Sequence, residues 1–145
     1  MKSFDRGELK KENFTLNEET EAYEFECPDF KLIISSNIYG EDTINYAMKI
    51  TKKYVKEKDL ILNKMLDIKL REFYKLNFNY TDNDIKEKIG KPQIKIDFKK
   101  DENHSQWNFE YAGIIEFCEN KLDEHIISIE FKDELILKNT IHLNG

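Results

Sequence analysis

From Gln93 to Leu143 apolar and polar residues alternate, and this period of two constrains the fold more than any other feature of the chain. Ile94, Ile96 and Phe98 form one trio, Trp107, Phe109 and Tyr111 a second, and His125 heads a third with Ile127, Ile129 and Phe131. Residues two apart lie on one face of a strand, so each trio predicts a strand with one apolar face. The charged runs KKDENHS, ENKLDE and KDE fall between and after these strands and read as turns, and Ile141-His142-Leu143 closes the series. Connections this short join antiparallel neighbours, which predicts a β-meander buried on one face.

The same alternation returns near the start. Tyr23, Phe25 and Cys27 lie on one side of a predicted strand over Glu21–Cys27, with Glu24 and Glu26 on the other. Proline cannot donate to a ladder, so Pro28-Asp29 ends this strand and makes the turn of a hairpin into Phe30–Ser35. Residues 1–20 are polar without a sustained period and read as irregular or loosely attached.

Between the strand regions the pattern changes. Glu41–Asn77 contains neither Gly nor Pro, and Ile44, Ala47, Met48, Thr51, Tyr54 and Val55 recur at helical spacing, with Asp42 as the expected N-cap. Leu60, Ile61, Leu62, Met65, Leu66, Ile68, Leu70, Phe73, Tyr74 and Leu76 then cover more than half of a helical wheel, which predicts heavy burial. A single helix over this run would be about 55 Å long, too long for a compact domain. A break is therefore expected in Lys56–Asp59, with Asp59 capping a second helix. Thr81 followed three residues later by Asp84 predicts the start of a short third helix, with Gly90 just past its end and Pro92 as its stop.

Strands at both ends with helices between them predict an α+β fold: an antiparallel meander sheet with an N-terminal hairpin and helices packed on one face. At 145 residues the chain fits one domain, 1–145, with 18 aromatic residues to fill a core. No run of 18 apolar residues would span a membrane, and the first residues lack the apolar core of a secretory signal. Cys27 and Cys118 match no metal or redox spacing and read as reduced thiols of a cytoplasmic protein.

Charge is unevenly distributed. Residues 1–30 carry a net −5, residues 31–100 a net +6 and residues 101–145 a net −7. Only two of the 23 basic residues are Arg, the side chain best suited to bidentate phosphate and base recognition, which argues against a nucleic-acid partner. No phosphate-cradling glycine loop and no nucleophile elbow occurs. His104, His125 and His142 have no zinc-type spacing, so neither a metal nor a cofactor is expected.

Two sets of residues stand out. If the apolar strand residues face the helices, the opposite face carries Glu24, Glu26, Glu110 and Glu130, an acidic surface fit to dock a basic protein, with Trp107 as an aromatic anchor. The alternative is a small hydrolase-like or ligand-binding enzyme with a carboxylate–His site formed by Glu116, Asp123 and His125. The run FEYAGIIEFCENKLDEHIISIEF, followed by IHLNG, resembles the C-terminal meander of small uncharacterised bacterial domain families of the toxin-immunity type. That resemblance implies a non-enzymatic protein that neutralises a toxin domain, and it brings no catalytic residue with it.

Overall fold

The computed structural model describes residues 10–100, 109–132 and 141–144. After a 3-10 turn at Lys11–Asn13 come strands β1 (Thr15–Asn17), β2 (Ala22–Glu26) and β3 (Lys31–Ser35). Helix α1 (Glu41–Met65) runs through a π-turn (Leu66–Leu70) into α2 (Arg71–Phe78), and α3 (Asp82–Lys88) follows. Strands β4 (Gln93–Lys100), β5 (Phe109–Phe117), β6 (Ile126–Lys132) and β7 (Ile141–Asn144) complete the chain. All seven strands form one sheet in the order of the sequence. The fold is α+β, as the element order predicts.

One join departs from the antiparallel pattern. β3 and β4 pair in parallel, with Leu32 beside Ile94 and Ile34 beside Ile96. The physical reason is the helical segment between them, which carries the chain back across the sheet to the end at which β3 begins, so that β4 runs in the same direction. The other five pairings are antiparallel.

Register decides which side chains share a face. Phe25, Leu32, Ile94, Ile115 and Ile129 lie along one row of partners, and Ile141 extends it onto β7. All six are buried, and they pack against Ile44, Ala47, Ile50, Tyr54, Leu62, Met65, Leu70 and Tyr74 of the helices. Gly113 sits on this inner face between Ile96 and Phe131. A Cβ there would run into the Lys95 carbonyl oxygen and meet Phe131 Cζ at 2.6 Å, so only glycine lets the strands and the Phe131 ring close up.

Several local expectations are met and others are corrected. Cys27 N–H donates to the Phe30 carbonyl at 3.0 Å, closing the hairpin at Pro28-Asp29. Thr81 and Asp84 form the reciprocal capping box that starts α3, and Gly90 takes a left-handed φ of 76° after its end. Two helical segments meet at a kink at Glu57, inside the expected breaker, although the non-helical residue at the join is Glu57 and not Asp59. Gly40, not Asp42, stands at the N-cap of α1. Thr15–Asn17, read as irregular from sequence, is an edge strand paired with β2. Its approach is fixed by Phe14, whose ring lies 5.7 Å from Phe25 and 5.5 Å from Tyr39, while Tyr39 donates to the Lys11 carbonyl. These contacts come from distant residues, so no local pattern announces the strand.

The wide apolar surface of the second helical half is not all buried. Ile61, Leu62, Met65, Leu66, Leu70 and Tyr74 face the core, whereas Leu60, Ile68 and Leu76 are exposed. Cys27 and Cys118 are unbridged.

Candidate functional site

Among the described residues the helices cover the inner face of the sheet, and its outer face is set by the alternate residues of the same strands. Glu24, Ile33, Lys95, Ile114 and Glu130 form one cross-strand row there. Lys31, Gln93, Glu116, Ser128 and His142 form the next. Ile33 and Ile114 are half-buried, with the Lys95 position between them.

The structure places Glu24, Glu26 and Glu130 on this outer face, each beside a Lys or His side chain. Glu24 lies 3.2 Å from Lys31, and Glu26 lies 2.5 Å from Lys91. Glu130 is 4.0 Å from His142. Lys91 also donates to the Cys27 carbonyl at 2.9 Å, which fixes it at the hairpin. Its hydrogen bond holds the Glu26 carboxyl below the usual range, against the smaller opposing effect of burial. Glu110 is in backbone register with Lys99. Trp107 lies outside the described residues. The sequence pattern shows the glutamates but not their counter-ions, because ion pairing across strands depends on register and on the β3–β4 parallel join.

The alternative set is split. Glu116 belongs to the outer face, where it meets Lys95 at 2.7 Å. Asp123 and His125 sit together in the connection between β5 and β6; His125 therefore precedes the strand it was expected to head. Asp123 accepts at one oxygen from the Tyr74 hydroxyl (2.9 Å) and from the His125 backbone N–H (3.0 Å), and its other oxygen lies 2.7 Å from His125 Nδ1. Burial opposes ionisation of Asp123, but the hydrogen bonds from His125 and Tyr74 together outweigh it and hold the carboxyl below its ordinary range. Burial, reinforced by the Asp123 carboxylate, pushes the Tyr74 hydroxyl up.

The connection itself is rigidly held. Asn120 donates to the Phe117 and His125 carbonyls and accepts from the Leu122 and Asp123 N–H groups. Phe73 packs edge-on against the His125 ring at 5.3 Å. Tyr74, which sequence reasoning assigned only to the core, is thus the link between α2 and this connection.

Two hollows occur elsewhere among the described residues. One of about 400 Å³ is lined by Arg71, Lys75, Asn79, Tyr80, Thr81, Asp82 and Asn83. Within it the Arg71 guanidinium is held by both oxygens of Asp82 and by Asp67. The other, of about 270 Å³, lies at Lys10, Lys11, Glu41, Ile44 and Asn45. No group of His, Cys, Asp and Glu suited to hold a metal occurs among the described residues. No described helix is long and apolar enough to cross a membrane. No protein-family model matches the chain, and neither a curated protein nor a solved structure is significantly similar to it.

Proposed function

We propose that this chain is a non-enzymatic binding protein that docks a basic protein partner on the outer face of its sheet, in the manner of an immunity protein that neutralises a toxin domain. The observation that carries the reading is a seven-stranded sheet with helices on one side and, on the other, half-buried Ile33 and Ile114 bordered by Glu24, Glu116 and Glu130. Central apolar side chains ringed by charge are the usual composition of a docking patch. The face differs from a uniformly acidic one. Each described ion pair on it must be exchanged for one with the partner, so the charges act on specificity and association rate more than on affinity.

The direct test is co-expression with a basic toxin domain from a neighbouring reading frame, followed by association kinetics. Reversing Glu24 and Glu130 to Lys should slow association markedly and flatten its salt dependence. Reversing the exposed helix residues Lys49 and Lys56 should not. Equal rates for the two double variants, or a partner that is itself acidic, would rule the proposal out.

The Asp123–His125 pair supports a second reading, a small hydrolase-like or ligand-binding enzyme. Asp123 orients the imidazole through Nδ1, the arrangement in which Nε2 serves as a general base. Turnover of a model ester that disappears in His125→Ala but survives in Glu116→Gln would favour this reading over the first.

A further inference from the structure

Three of the four exposed large apolar residues of the helical rod are regularly placed, Phe78 at its end being the exception. Leu60, Lys64, Ile68, Glu72 and Leu76 recur every four residues from the second half of α1 through the π-turn into α2. In an uninterrupted α-helix, sixteen residues would carry Leu76 roughly 160° around the axis from Leu60. The π-turn at Leu66–Leu70 has more residues per turn and removes roughly half of that drift. The five residues therefore stay on one stripe, turned away from Leu62, Leu66, Leu70 and Tyr74, which are buried in the core. Leu60 is 51% exposed, Ile68 47% and Leu76 79%. Lys64 and Glu72 are exposed as well, and neither makes an ion pair among the described residues. This sets them apart from the glutamates of the outer sheet face.

The order Leu-Lys-Ile-Glu-Leu is complementary to its own reverse. We propose that this stripe is a self-association surface on which a second copy of the chain docks antiparallel, with the two-fold axis at Ile68. Under that symmetry Leu60 meets Leu76 of the other copy, Ile68 meets Ile68, and Lys64 meets Glu72 twice. An isologous contact needs a patch that pairs with itself in this way. A parallel arrangement would set Lys64 against Lys64 and Glu72 against Glu72, so the charges select the antiparallel one. The stripe is about 24 Å long and a single helix wide. A contact this narrow falls toward the low end of specific interfaces, so the dimer is a weak one, governed by concentration. It leaves the outer sheet face of both copies free and does not depend on what that face binds.

Sedimentation equilibrium of the full chain, over concentrations up to about 1 mM, measures the association. Lys64→Glu or Glu72→Lys alone places like charges opposite each other twice and should weaken the dimer roughly tenfold or more. The combined K64E/E72K variant restores opposite charges and should return the constant to near the wild-type value. Ile68→Asp should leave a monomer with an unchanged circular dichroism spectrum. A wild-type chain that stays monomeric throughout this range overturns the proposal. So does a dimer that ignores the single reversals, or a double variant as weak as either single one.

Discussion

Along the inner face of β3 to β6, Leu32, Ile94, Ile115 and Ile129 are each no more than 1% exposed, in contact with helices that cover them completely. One residue away on the same strands, Ile33, Lys95, Ile114 and Glu130 are half-buried or exposed, and Glu24, Glu26 and Glu116 there are matched to lysines at 2.5–3.2 Å. A pleated strand gives its two faces independent environments. Removal of apolar area from water drives the inner face, at roughly 25 cal/mol per Å². Exposed or half-exposed ion pairs contribute about 0–1 kcal/mol each. The inner face therefore holds the fold, and the outer face can change its residues, or exchange its charge partners, with little loss of stability.

The largest effects should come from the inner face. Phe117, 0% exposed, should cost about 3–5 kcal/mol on truncation to Ala, read from denaturant unfolding. Gly113→Val should be at least as damaging for the opposite reason, since its side chain would enter the Lys95 backbone and the Phe131 ring. If either variant unfolds at the wild-type denaturant concentration, the inner face does not carry the stability assigned to it.

The next effects distinguish two buried tyrosines. Tyr74 donates to Asp123, so Tyr74→Phe leaves a carboxylate oxygen short of a partner and should cost about 1–3 kcal/mol. The Tyr54 hydroxyl is buried with no hydrogen-bond partner among the described residues, so Tyr54→Phe should be neutral or stabilising. The same substitution thus destabilises at one core site and not at the other, and equal melting shifts would contradict the hydrogen-bond assignment.

Asp123 also gives a pH signature. Its folded pKa is depressed, so the stabilisation is present in full above the unfolded value of about 3.9 and is lost as pH falls through that value toward the folded one. The stability gap between wild type and Asp123→Asn should be constant near pH 5 and should close below about pH 4. A gap that widens on acidification would show that the carboxylate is not held by His125 and Tyr74.

The smallest effects belong to the outer face. Glu116→Gln removes the pair with Lys95, whose side chain is 44% exposed, and should cost less than about 1 kcal/mol. A larger loss would place part of the fold's stability on that face and would weaken the comparison.

Much of this architecture is legible from the chain alone. Period-two trios gave the faces of β2, β3, β4 and β6, and Thr81, Asp84, Gly90 and Pro92 marked the boundaries of α3. These are local properties: side-chain alternation and capping depend on residues a few positions apart. The candidate site was legible only in part. Glu24, Glu26 and Glu130 could be assigned to one face, because a strand has only two. Their pairing with Lys31, Lys91 and His142 could not, since it joins residues up to 65 positions apart. The same limit hid the parallel join of β3 to β4, the edge strand held by Phe14 and Tyr39, and the meeting of Tyr74 with Asp123 across 49 residues. It also left the helical wheel ambiguous, because the π-turn that separates buried Leu66 and Leu70 from exposed Leu60, Ile68 and Leu76 has no mark in the sequence pattern. Sequence fixes what each segment can bury. Only the packing of one segment on another decides what it does bury, and which charges remain free.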